Sequence, residues 1–352
     1  MNPVTPRPRD FAPDVVRAVA VFLVVLLHLS GSARATHDAA GWADLGLHAL
    51  SRASVPLFVM LSGWLLLAQP ARPIGDFWRR RASRTVWPLL AGSVLYGWWR
   101  TWSHGEHWTV AGAAKAFAAG SVYYHLWFLY LILALYVITP FLRTWFAHAD
   151  RRERRFALGF WIGLLIVPPI VHRLTGPEWL LTGGMYLDYA GYYVLGAWLG
   201  ARPADSAGRR MAAAALFAGW GATAIGTWIL TPAGQSQSEL LLDYLRPNIA
   251  LMSVGAFVLL HSLGQLAAPA PVASVVRWLS RHSLGIYLLH PLLLELGSSG
   301  RLGSGFQTLI AGRGPAWIAA AIITLALCGA ASSLLSLAAR KLAGTTHPSA
   351  SR

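Results

Sequence analysis

Apolar and polar positions alternate along this chain in long blocks, not at the two-residue period of a strand. About ten apolar stretches are long enough for a helix to cross a bilayer, at roughly 14–32, 46–68, 86–103, 124–146, 156–174, 183–200, 211–231, 247–267, 282–297 and 315–338. The polar segments between them are too short for a soluble domain. This pattern predicts an all-α, polytopic integral membrane protein with about ten transmembrane helices. A single transmembrane domain over 1–345 is expected, followed by a short polar tail at 346–352. The first stretch lacks a small-residue cleavage site ahead of a soluble domain, so it reads as a span and not as a removable leader.

Composition sharpens that picture. The chain is 55% hydrophobic and only 12% charged, with a mean hydropathy of +0.49. Soluble domains carry about 25% charged residues. Seventeen Trp and eleven Tyr suit aromatic belts at two membrane interfaces. In a soluble protein a net charge of +15 would point to nucleic acid. Here the cations fall in short segments between apolar stretches, which makes them a topology signal, and no nucleic-acid partner is expected. The lone cysteine, Cys328, lies in a late apolar stretch. It rules out an internal disulfide or a cysteine-cluster metal site.

The cations set an orientation. One side receives Arg7 and Arg9, then Arg72, Arg79, Arg80, Arg81 and Arg84, and then Arg151, Arg152, Arg154 and Arg155. The same side receives Arg202, Arg209 and Arg210, Arg277 and Arg281, and finally Arg340 and Lys341. The opposite side holds scattered cations only, such as Arg34, Lys115, Arg173, Arg301 and Arg313. The positive-inside bias puts both termini in the cytoplasm.

Polar residues inside or at the ends of apolar stretches are expensive in lipid and are functional candidates by default. Arg17 and His28 share the first stretch. Eleven residues make about three helical turns, so both leave one face, about 16 Å apart along the axis. Asp14 stands three residues before Arg17, in position to pair with it. A neutral imidazole at His28 suits a general base near pH 7. Arg81 and Arg84 share a helix face beside Arg80. Two guanidinium forks there suit phosphate, though a positive-inside anchor has the same composition. Arg52, one turn after His48, enters the second stretch from the non-cytoplasmic side, where it either holds an acceptor, pairs with a carboxylate or anchors the interface. His125 opens the fourth stretch among aromatic residues on that side. Ser283, Tyr287 and His290 fall on one helical stripe that serves either a site or an interhelical hydrogen-bond set.

Taken together and in this order, these segments resemble the acyltransferase-3 family of polytopic membrane O-acyltransferases. The resemblance rests on Arg17 followed by His28 and on Arg81 with Arg84. It also rests on Leu61-Ser62-Gly63 and the late Ser283, Tyr287, His290 pattern. The stretches Ser51 to Gly63, Tyr124 to Pro140 and Ser280 to Tyr287 are the most similar, and the likeness spans essentially the whole chain. One departure is Phe58-Val59-Met60 where a run of Phe is usual.

That resemblance implies an O-acetyltransferase of a bacterial cytoplasmic (inner) membrane. Acetyl-CoA would be the donor and a sugar hydroxyl on a lipid-linked or exported glycan the acceptor. It implies no permanently bound cofactor and no metal. Arg81 and Arg84, with Arg80, would hold the CoA phosphates, and Arg17 would lie near the pantetheine route. His28 would act as general base or carry the acetyl group itself, with Asp14 orienting Arg17. Arg52, His125, Tyr287 and His290 would bind the acceptor. The extracytoplasmic hydrolase-like domain of longer members is not seen, so no second activity is expected. A transporter or flippase of a glycolipid or small solute is the alternative that many spans with buried Arg and His also suit. The absence of an internal repeat and the cytoplasmic arginine pair count against it.

Overall fold

The computed structural model describes residues 10–31, 36–68, 73–175 and 186–345, with backbone alone for 168–175 and 342–345. Arg7, Arg9, Arg34, Arg72 and the 346–352 tail lie outside the described residues. Among the described residues the regular structure is helical throughout. The helices are α1 (Ala12–Ser30), α2 (Ala39–Ser51), α3 (Ser54–Leu67), α4 (Ile74–His104), α5 (Val110–Ala118), α6 (Trp127–His148) and α7 (Arg151–Thr175). They continue as α8 (Ala190–Gly200), α9 (Ser206–Leu230), α10 (Pro247–Leu263), α11 (Ala270–Ser298), α12 (Ser304–Ala311) and α13 (Pro315–Thr345).

Five segments among the described residues are long and apolar enough to cross a membrane: Ala12–Ser30, Ala39–Leu67, Trp127–His148, Ser206–Leu230 and Pro315–Lys341. The helices often overrun the apolar stretches. α4 begins at Ile74, not near 86, and α11 begins at Ala270, not near 282. The reason is that arginine is a good helix former. Hydropathy reads lipid burial, whereas backbone hydrogen bonding continues through Arg79 to Arg84 and Arg277 to Arg281. Likewise the second stretch starts at Ala39, where the Asp38 carboxylate caps the helix by accepting the Gly41 amide at 2.6 Å.

The chain divides into two compact units. The first comprises 1–54, 220–242 and 259–352. In it α1 packs against α2, α11 and α13. Most of the α1 circumference is buried, as a central helix requires. Glycines make room in the α11–α13 seam: a Cβ at Gly285 would collide with the Ser332 side chain, and one at Gly329 with the Trp278 indole. The buried Asp44 carboxylate accepts from the Arg313 guanidinium and from the Gly314 amide at 2.9 Å. That contact ties α2 to the start of α13.

The second unit comprises 55–219 and 243–258. α4 packs on α6, and α8 packs on both α6 and α7. α3 and α8 meet through paired glycines. A Cβ on Gly63 would overlap the Tyr193 backbone, and one on Gly196 would overlap the Met60 backbone. The Leu61-Ser62-Gly63 segment is therefore a helix-contact device in this fold.

Candidate active site

α1 carries three of the candidate residues, and the first unit gathers others around them. Asp14 is buried at the start of the helix, and Arg17 stands one turn on with its side chain 26% exposed. Their charged atoms are 4.0 Å apart. Ser280 of α11 lies between them. Its hydroxyl donates to Asp14 at 2.5 Å and accepts from Arg17 at 3.0 Å. A serine hydroxyl has one proton and two lone pairs, so both bonds form together. The guanidinium is thus held at one place on the α1–α11 seam.

His28 lies three turns further along α1 and is partly buried. The His290 ring of α11 approaches it, with ring centres 5.1 Å apart and planes tilted 31°. His290 is fully buried, and its Nδ1 faces the Tyr287 carbonyl at 2.7 Å and the Ile286 carbonyl at 3.2 Å. A carbonyl only accepts, so Nδ1 carries the proton and Nε2 presents a lone pair. The Tyr287 ring lies 6.0 Å from the His290 ring and is itself buried. Ser283 turns instead to the Ser280 carbonyl at 3.0 Å. The late stripe therefore divides, with Tyr287 and His290 together and Ser283 engaged in its own helix.

α2 adds a directed chain. The Arg52 guanidinium meets His48 Nε2 at 3.2 Å, and His48 Nδ1 meets the Ser30 hydroxyl at 2.9 Å. Guanidinium only donates, so His48 Nε2 accepts and Nδ1 donates to Ser30, which donates to the Leu26 carbonyl at 2.8 Å. His48 is buried and held neutral by this pairing. Arg52 also pairs with the exposed Glu239 at 3.2 Å. Arg52 therefore has a carboxylate partner, one of the roles its position suggested.

The remaining candidates belong to the second unit. Arg80 and Arg84 are exposed on α4, and Arg81 is half-buried on the same helix. Arg79 pairs with Asp76 at 3.8 Å across one turn. His125 is buried just before α6, inside an aromatic cluster whose ring centres are 4.8 Å away for Tyr96, 5.6 Å for Tyr123 and 5.7 Å for Tyr124. Cys328 is buried in α13.

A family model describing an acyltransferase domain, acyltransferase-3, matches residues 10–333. The chain belongs to the acyltransferase-3 family. No curated protein and no solved structure matches it. Membrane acyl transfer is the activity that this membership and the five apolar helices support.

Three buried polar residues escaped the sequence reading. Ser30 is an ordinary serine at the end of an apolar stretch, and Ser280, although it opens one of the stretches the resemblance rests on, carries no local mark of a bridge between Asp14 and Arg17. Arg143 is different. It lies in the fourth apolar stretch and is buried at 7% exposure, so the rule that intramembrane charges are costly would have found it.

Proposed function

We propose that this acyltransferase is an O-acetyltransferase of a bacterial cytoplasmic membrane. It takes acetyl-CoA from the cytoplasm and esterifies a sugar hydroxyl on a lipid-linked or exported glycan. The remaining apolar helices complete about ten spans, with both termini cytoplasmic by the positive-inside bias. The observation that carries the reading is the α1–α11 seam, where an orienting Asp14–Ser280–Arg17 network and the His28–His290 ring pair follow one another on one helix face.

In this reading Arg81 and Arg84, with Arg80, receive the phosphates of CoA, and Arg17 guides the pantetheine arm. His28 takes the proton from the attacking sugar hydroxyl, whose oxygen bonds to the thioester carbonyl carbon. The C–S bond then breaks and CoA leaves as a thiolate that accepts a proton. His290, with its proton committed to Tyr287, offers His28 an acceptor nitrogen and so orients the base, as the third group of a triad does. Arg52 supplies positive charge beside the developing oxyanion. Tyr287, Arg52 and His125 remain the acceptor-binding set.

Transfer of labelled acetate from acetyl-CoA to membrane glycan tests the reading. His28→Ala, compared with the native protein at matched membrane level, is expected to lose the transfer. Retained transfer removes His28 from the chemistry. A transporter would move glycolipid without consuming thioester. A burst of CoA release without acceptor marks an acetyl-His28 intermediate, whereas its absence marks direct transfer.

A further inference from the structure

In the second unit, α6, α7 and α8 line a cavity of about 500 Å³ that the functions above leave unused. That size falls within the ~300–1,000 Å³ of small-molecule sites. Trp161 forms its back wall. The ring is buried, and its Nε1 donates to the Asp188 carbonyl at 2.9 Å. Gly191 lets α8 lie against that ring, because a Cβ there would collide with the indole. Phe141, Phe160 and Trp198 form an apolar, outward-facing rim. Among the described residues only Arg154 and Asp188 bring charge to the lining. Arg154 stands in the first turn of α7, and Leu164 lines the cavity ten residues further on. That is about 15 Å of helix, half of a hydrocarbon core roughly 30 Å thick. With α7 as one of the proposed spans, the cavity starts at the cytoplasmic cations and reaches one leaflet deep.

The Arg154 guanidinium is held in place with donors to spare. One Nη donates to the Phe146 carbonyl at 3.2 Å, and the group lies 5.2 Å above the Phe146 ring. Its Nε is buried with no hydrogen-bond partner among the described residues. The neighbouring acids are engaged elsewhere: Glu153 accepts the Asp150 amide at 2.8 Å, and Asp150 accepts the Glu153 amide at 2.8 Å. Arg151, Arg152 and Arg155 add exposed positive charge on the same turn. We infer that this cavity is a lipid site. One acyl chain of an anionic phospholipid of the cytoplasmic leaflet lies between α6, α7 and α8, and its phosphate bonds to Arg154. A phosphate oxygen satisfies the buried Nε, which a neutral chain would leave unmet. Basic pockets between spans on the cytoplasmic side suit such headgroups. The phosphates of CoA would suit Arg154 too, but its pantetheine amides would be stranded against the apolar walls.

The experiment counts lipid retained by the whole purified protein, by native mass spectrometry from mixed micelles of phosphatidylglycerol and phosphatidylcholine. The native protein should hold one phosphatidylglycerol in preference to phosphatidylcholine by roughly tenfold or more, the size of one charge-assisted hydrogen bond. Arg154→Gln should lose that preference, while Arg155→Gln, on the exposed side of the same turn, should keep it. Arg154→Lys keeps the charge and loses Nε. It should keep part of the preference, and it carries the test if Arg154→Gln fails to fold. Ala157→Trp fills the cavity with every arginine in place and should release the lipid. Equal retention of both lipids by the native protein marks ordinary boundary lipid and overturns the inference. So does a preference that survives Arg154→Gln, or one lost equally in Arg155→Gln, which marks diffuse charge. Displacement of the lipid by CoA gives the cavity to a soluble phosphate, and tighter retention of a polyprenyl phosphate gives it to the anchor of a lipid-linked acceptor. Either result overturns the phospholipid assignment. The readout is bound lipid and not product, so it is independent of the acetyltransferase reading.

Discussion

His28 and His290 meet ring to ring at 5.1 Å, one from each of two helices that lie far apart in the chain. Because His290 gives its Nδ1 proton to the Tyr287 carbonyl, it can only accept at Nε2. His290→Phe keeps an aromatic ring, somewhat larger than imidazole, and removes that acceptor. Turnover of acetyl-CoA is expected to fall by about 10²-fold or more, the usual worth of a positioned acid–base group. Protein level in the membrane should stay near normal. Turnover measured at matched protein level checks this, and native turnover would reduce His290 to packing.

Ser280→Ala removes the bridge between Asp14 and Arg17. A buried hydrogen bond to a charged group contributes about 1.5–3 kcal/mol, and this serine makes two such bonds. A lower melting temperature in detergent is expected, together with reduced acetyl transfer, because Arg17 loses its orientation. Ser280→Thr keeps the hydroxyl and should recover part of both. Melting and transfer measured side by side on the two variants distinguish a lost hydrogen bond from a packing defect.

Arg313→Ala leaves the buried Asp44 with the Gly314 amide and takes away its cation. Breaking a fully buried pair costs about 3–5 kcal/mol. Arg313 is 41% exposed, so water replaces part of the loss and about 1–2 kcal/mol is expected here. Asp44→Asn with Arg313→Ala should be milder than Arg313→Ala alone, since no carboxylate is then stranded. Thermal unfolding of the three variants is the measurement.

Gly63→Ala and Gly196→Ala each drive a methyl group into the backbone of the facing helix. Overpacking costs about 1–3 kcal/mol, and the two residues serve one α3–α8 contact, so the double variant should lose less than the sum. Melting temperatures of the single and double variants test the non-additivity.

Arg81→Ala with Arg84→Ala should raise the KM for acetyl-CoA while leaving kcat within a few fold, the signature of lost ground-state binding. Arg80→Ala, on the exposed face, should have the smallest effect of the three. Donor-dependent initial rates decide it, and an unchanged KM in the double variant removes the pair from the donor site.

Much of this molecule was readable from its residues because lipid imposes a simple rule. A backbone in hydrocarbon must satisfy its own hydrogen bonds, so long apolar stretches become helices. A charge among them stands out by its cost. The helical class, the pairing of Asp14 with Arg17 and the shared face of Arg17 and His28 all follow from spacing along one helix. Helix starts were less legible. Arginine favours helix while opposing lipid, so α4 and α11 run well past their apolar cores.

What the sequence alone determined is therefore what repeats within one helix: apolar blocks, cation bias and residues three, four or eleven apart. What only the tertiary structure decided is which helices face each other. Ser280 between Asp14 and Arg17, His290 beside His28, and Arg143 over Phe77 join residues from different helices. Those meetings depend on side-chain packing between helices and on glycines that let backbones approach, and no periodicity along a single segment encodes them.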